Sequence, residues 1–296
     1  MKNPLRKRIP RELKSEIGKY LVIFLLMLGT IGMVSGFLVA DGSMIKAYNE
    51  SFEKYNIEDG NFRTGEKVYR GQREAMEEQG IKIYENYYIE EALTNGSTMR
   101  FFKNRDEVDK VCIMEGRLPK TTGEIAIDRM YADNNSLKIG DTLSSGDKTW
   151  KIAGLIALSD YSALFQNNND SMFDAVKFGV SVVTPEEFDS LDQEKLQYNY
   201  SWIYDKKPKD EKEEKEVSED LMKEMGKVVT LENFVPRYQN QAIIFTGDDM
   251  GGDKAMMVML LYIVIAIMAF VFGITTGNTI TKEAGVIGTL RASGYT

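Results

Sequence analysis

Two uncharged stretches, residues 20–40 and 255–281, bracket a long charge-rich segment. At about 1.5 Å of rise per residue, roughly 20 apolar residues cross a bilayer core. Each stretch is long enough to do so as one helix. A chain built this way is expected to leave the cytoplasm, fold a domain outside, and return. The apolar run of the first stretch exceeds the roughly 7–15 residues of a signal-peptide core, which favours an uncleaved span.

Charge placement sets the expected orientation. The net charge of −8 hides an uneven distribution: Lys2, Arg6, Lys7, Arg8, Arg11, Lys14 and Lys19 precede the first stretch. All 45 acidic residues except Glu12, Glu16 and Glu283 lie between residues 41 and 254. Lys and Arg beside a first span hold that end on the cytoplasmic side. The N-terminus is thus expected inside, residues 41–254 outside, and the segment from Lys282 inside. An acidic outside domain argues against a nucleic-acid partner, which requires a basic face.

The chain contains one cysteine and no histidine. Cys112 has no intrachain disulfide partner, so the outside domain must rely on its hydrophobic core. Without histidine there is no Ser-His triad, no His general base and no His metal ligand. Carboxylate pairs such as Glu90-Glu91 read as solvated surface. No nucleophile motif stands out, and catalysis by this chain is not expected.

Along the chain, Leu5, Ile9, Leu13 and Ile17 recur at steps of four. They predict a basic amphipathic helix on the inner membrane face over residues 1–19, with Arg6, Lys7, Arg8, Arg11 and Lys14 contacting lipid headgroups. Met44, Tyr48, Phe52 and Tyr55 continue a helical stripe outward from the first span as a stalk, which Asp59-Gly60 ends as a turn. The stalk and span occupy residues 20–57.

Residues 58–247 alternate between helical and strand patterns. Strands are expected over 81–88, 98–102, 111–114, 124–128, 150–157, 176–183, 198–204 and 228–231. Helices are expected over 74–79 and after Thr184-Pro185-Glu186-Glu187, which has the order of a capping box. Lys206–Lys215 reads as a solvated loop or exposed helix. Val217, Leu221, Met222 and Met225 form a helical stripe. The run from Gly247 to Asp253 lacks the spacing of a calcium loop and is expected to be a joint into the second span, the two occupying residues 248–281. The expected fold class is an α+β membrane protein, with two transmembrane helices flanking a mixed α/β extracytoplasmic domain.

Past the second span, Ala284, Gly285, Gly288 and Ala292 offer close approach, while Val286, Ile287 and Leu290 form an apolar face. Glu283, the Ile287-Gly288 step and Leu290-Arg291-Ala292-Ser293-Gly294 resemble the FtsX/MacB-like permeases of ABC systems. Three blocks of the outside segment resemble the extracytoplasmic domain of the same family, in the same order: Glu115-Gly116-Arg117-Leu118-Pro119, Gly123-Glu124-Ile125-Ala126-Ile127 and Leu137-Lys138-Ile139-Gly140-Asp141.

The resemblance implies a permease subunit of a bacterial plasma-membrane ABC transporter. A separate ATPase would dock on residues 282–296 through Lys282, Glu283, Ile287, Gly288, Leu290, Arg291 and Gly294. ATP and Mg²⁺ would sit on that partner, and this chain, which lacks GxxxxGK[ST], would bind no cofactor or metal. Its other expected partners are the lipid bilayer and a second permease copy or the second half of a longer permease. Family members carry at least four spans, so the stop at Thr296 reads as the end of an N-terminal portion. The rival reading is a two-span sensor or receptor binding a ligand through its outside domain.

Overall fold

The computed structural model describes Lys14 and residues 17–294, without the Ile287 side chain. Arg6, Lys7, Arg8 and Arg11 lie outside the described residues. Lys14 is helical and exposed. The chain divides into two compact units. One joins the described residues through Lys46 with those from Asp249 onward; the other is Ala47–Asp248.

The first unit consists of helical segments. Helix α1 (Ile17–Lys54) and the final helix, α6 (Gln241–Ala292), are each long and apolar enough to cross a membrane. Most of their apolar side chains in this unit are exposed, several are half-buried, and Val34, Met250 and Met257 are buried. The core helix of a soluble protein would bury such a surface, whereas lipid covers it without further protein. The expected joint at 247–253 is not a break: α6 runs through it without interruption. Glycine costs roughly 1 kcal/mol per position in a helix interior. The long apolar continuation carries the helix through these positions.

The second unit holds two sheets. The smaller is antiparallel, in the order β11 (Leu231–Pro236), β1 (Gly60–Thr64), β10 (Tyr198–Tyr204), β2 (Ile81–Glu85). Helices α2 (Arg70–Glu77) and α5 (Glu211–Met225) bring Met76, Leu221 and Met225 into its core, beside Phe62, Tyr200 and Trp202. Phe62 stacks on Tyr200 at 5.0 Å and Trp202 on Phe234 at 4.7 Å. Such pairs add roughly 0.5–1.5 kcal/mol beyond area burial. Gly60 is required here, because a Cβ would stand 2.2 Å from the Trp202 ring.

The larger sheet is mixed. Its path is β3 (Tyr88–Ala92), β4 (Thr98–Lys103), β9 (Phe178–Val183), β6 (Glu124–Asp128), β8 (Lys148–Leu158) and β5 (Val111–Gly116), with β7 (Thr142–Ser145) also paired to β8. β4 with β9 and β6 with β8 are parallel. β9 is buried along its whole length, the near-continuous apolar pattern of a strand covered on both faces. Phe101, Ile127, Tyr131, Trp150 and Val180 lie in this core. Two short helices flank it, α3 (Arg129–Asn134) and α4 (Pro185–Ser190).

Several local expectations change. The strand expected over 81–88 divides between the two sheets. Asn86 ends the first half by turning its amide into a buried polar cluster, and Tyr88 begins the second. The strand expected over 228–231 begins only at Leu231, because the Val228 and Val229 amides donate to the Met225 carbonyl and close α5. In the stripe on α5, Leu221 and Met225 are buried but Val217 and Met222 are exposed. Thr184 accepts from the Glu187 amide, as a cap should. Glu187 does not reciprocate; its carboxylate takes Trp150 Nε1–H at 2.7 Å and the Gly123 amide at 2.8 Å. The Glu90-Glu91 pair is not merely solvated, since Glu90 pairs with buried Arg100 and Glu91 with Lys195.

Candidate functional site

Within Ala47–Asp248, the end of α1 and the start of α6 are fastened to one another and to the domain by a set of buried polar contacts. α1 closes at Lys54, and Asn56 turns the chain with a left-handed φ of 50°, a conformation asparagine tolerates better than most residues. Asn240 caps the first turn of α6, its Oδ1 accepting from the Ala242 amide at 3.1 Å. Asn168 Oδ1 accepts from the Gln241 amide at 2.9 Å. Caps of this kind contribute about 1 kcal/mol each.

Four contacts then join the two ends. Tyr48 O–H donates to the Ile243 carbonyl at 2.9 Å. Burial, aided by the charge of Asp248, pushes this hydroxyl up to about 12, which keeps it a donor. Gly247 leaves room for the Tyr48 ring, since a Cβ there would come within 2.6 Å of it. The Arg237 guanidinium lies 5.3 Å from the centre of the Phe52 ring and donates to Asp59 Oδ1 at 2.7 Å. Asn240 Nδ2 donates to Glu58 Oε1 at 3.3 Å. Asp59, which the sequence suggests as a turn residue, is fully buried and also accepts from the Tyr204 amide at 2.9 Å.

Glu58 belongs to a deeper cluster that includes three carboxyl groups and one guanidinium. Arg105 forms a bidentate pair with Asp160, both bonds 2.7 Å, and both side chains are buried. Arg105 also donates to Asn86 Oδ1 at 3.2 Å. Asp109, in the turn between β4 and β5, accepts from the Glu58 amide at 2.8 Å. Ser201 Oγ on β10 lies 2.5 Å from Glu58 Oε2 and 3.0 Å from Asp109 Oδ2. The cluster thus ties the α1 exit, both sheets and the α6 entry together.

A polar cleft of about 480 Å³ opens beside this cluster, and Glu58, Asn86 and Asp160 contribute to its wall. Its carboxamides are largely committed to partners: Asn61 and Asn240 to Glu58, Asn86 to Asp109, Gln166 to Glu90 and Asn168 to Gln241. Arg100 on the same wall spends its donors on Glu90, Tyr161 and the Gln166 carbonyl. The cleft is a braced seam between the sheets.

The residues expected to dock an ATPase fall elsewhere, along the last turns of α6. Lys282, Gly288 and Arg291 are exposed and helical there, and Glu283 and Leu290 are half-buried. A Cβ on Gly288 would meet nothing within 4 Å. Ile287 lies on the helix, and Gly294 follows its end with a φ of 84°. Local sequence patterns do not flag the Glu58–Asp109–Asp160–Arg105 cluster. Arg105 and Asp109 share one turn, but Glu58 and Asp160 stand about fifty residues to either side, and only the fold assembles them. The sole local hint is an acidic pair, Glu58-Asp59, at the foot of a helical stripe.

No protein-family model matches the chain, and no curated protein sequence matches it. Among solved structures, one similar chain is the periplasmic region of MacB from Actinobacillus actinomycetemcomitans. It has 9% sequence identity and a TM-score of 0.32, over 56% of this chain and 83% of that one.

Proposed function

We propose that this chain is the membrane-spanning permease subunit of an ABC transporter, with its N-terminus in the cytoplasm and residues 41–254 outside a bacterial plasma membrane. It relays motion from a separate ATPase to the outside domain, for export, for extraction from the membrane or for mechanical signalling. The observation that carries this reading is the clamp. Two helices of membrane-crossing length each continue unbroken past the apolar stretch and are fastened together where they meet the domain. Motion of one helix end then moves the other helix end and the domain with it, because buried polar contacts are costly to leave unpaired. The stretches over 20–40 and 255–281 carry no Asp, Glu, Lys, Arg or His, which suits a relay better than an ion path.

The chain is not itself an enzyme in this reading. ATP and Mg²⁺ are handled by the partner, which docks on the segment from Lys282 to Gly294. The residue types there support the assignment: a bare glycine surface at Gly288, flanked by Glu283 and Arg291. Co-purification from native membranes tests it. Gly288→Trp and Arg291→Glu are expected to cut recovery of a P-loop ATPase at least tenfold while residues 47–248 keep their protease resistance. Recovery unchanged in both variants would return the chain to the receptor reading.

A further inference from the structure

We infer that the Glu58 carboxyl is a proton-operated latch: as the neutral acid it holds the α1 exit to the α6 entry, and on ionisation it releases them. The assignment follows from counting hydrogens. Ser201 Oγ lies within hydrogen-bond distance of both Glu58 Oε2 and Asp109 Oδ2, and it also accepts from Asn86 Nδ2 at 3.0 Å. The orientation of the Asn86 amide is fixed, because its oxygen accepts from Arg105. A serine hydroxyl has one proton to give. With both carboxyls ionised, one of the two oxygen–oxygen contacts would hold no hydrogen at all. One carboxyl must therefore be an acid.

The remaining partners show which one. Asp109 faces three donors: the Glu58 amide, Asn86 Nδ2 and the Ser201 hydroxyl. That is the environment of an anion. Glu58 Oε1 accepts from Asn61 Nδ2 at 2.6 Å and Asn240 Nδ2 at 3.3 Å, as the carbonyl of an acid does. Its Oε2 then donates to Ser201, which donates on to Asp109. The proton completes a chain running from β1 and the α6 cap through Glu58 to β10 and the β4–β5 turn.

The surrounding charges call for one proton between the two carboxyls. Among the described residues, the charged groups acting on Glu58 include Asp160 from the turn after β8 and Arg105 and Asp109 from the β4–β5 connection, while β1, β10, the β2–β3 link and the α6 cap bring the polar Asn61, Ser201, Asn86 and Asn240 to the cluster. Arg105 is already neutralised by Asp160, so a second new anion beside Asp109 has no counterion. Burial first, and then the charge of Asp160, push Glu58 up to about 7. Burial and then the Glu58 charge push Asp109 well above its ordinary range as well; the pair shares one proton, and the three donors facing Asp109 seat that proton on Glu58.

The sign follows from linkage. The folded, latched state holds a proton that an open state gives up near the ordinary glutamate value of 4.5. Latch stability is complete below that value and falls as pH rises, levelling once pH passes about 7. One proton corresponds to roughly a tenfold change in the opening equilibrium per pH unit inside that window.

The test uses the full chain in lipid nanodiscs. Amide hydrogen exchange is followed over 57–61 and 240–244 at pH 5 to 8.5 and compared with Glu58→Gln at each pH, which cancels the intrinsic pH dependence of exchange. Gln reproduces the acid, with its carbonyl accepting from Asn61 and Asn240 and its N–H donating to Ser201. The expected result is protection within roughly fivefold at pH 5 and at least tenfold slower exchange in Glu58→Gln above pH 7, with loss of a carboxylic-acid carbonyl band from the infrared spectrum at pH 6. Asp109→Asn removes an anion that three donors surround and is expected to lose protection at every pH. Exchange in Glu58→Gln that is no slower than wild type at pH 8, or an acid band that survives the substitution, would overturn the inference.

Discussion

Arg105 is the residue on which the buried charge balance turns. Its charge acts on Glu58, Asp109 and Asp160 alike, and it is buried together with Asp160, to which it is bound bidentately. Removing one member of a buried pair leaves an uncompensated charge, which costs about 3–5 kcal/mol, whereas replacing both with apolar groups is often close to neutral. Arg105→Met is expected to destabilise residues 47–248 by about 3–5 kcal/mol in urea unfolding, and adding Asp160→Leu to restore much of that loss. Equal destabilisation by the single and double variants would contradict the assignment. Sequence windows do not reveal such residues. Glu187 illustrates why: the Thr184-Pro185-Glu186-Glu187 order correctly marks a helix start, yet the glutamate serves Trp150 and Gly123 from another part of the fold. The same holds for Asp59, which local chemistry marks as a turn and tertiary structure buries against Arg237.

At the scale of elements, the sequence is most legible where the pattern is long. α1 and α6 follow from sustained apolar character, and β6, β8 and β10 follow from short β-rich runs between turn residues. Where two elements meet, local signals fail. The run 81–88 looks like one strand, because nothing local shows that Asn86 must leave the sheet to reach Ser201 and Asp109. The glycine run in α6 looks like a joint, because propensity alone ignores the helix on either side. Two of those glycines are expected to behave oppositely. Gly247 lies against the Tyr48 ring, so Gly247→Val overpacks the contact and is expected to cost about 1–3 kcal/mol. A Cβ at Gly251 meets nothing within 4 Å, so Gly251→Ala is expected to stabilise α6 by roughly 0.5–1 kcal/mol. Thermal unfolding of the full chain in micelles distinguishes them; a shift of the same sign in both would show that the Tyr48 contact does not constrain Gly247.

At the scale of the whole molecule, the two long apolar helices, the mixed α/β domain between them and the order of many of its elements are legible from the sequence, whereas the clamp is not. The clamp depends on Tyr48 meeting Ile243, Asp59 meeting Arg237 and Glu58 meeting Asn240, pairs separated by most of the domain. In the relay reading these contacts make the exit of α1 and the entry of α6 respond as one body. Hydrogen exchange in native membranes that contain both the chain and the proposed ATPase partner, with and without ATP, measures that directly. The expected result is a nucleotide-dependent change in protection that appears together over residues 55–61 and 236–244. A change confined to one of the two segments, or no change in either while ATP is being hydrolysed, would contradict the relay.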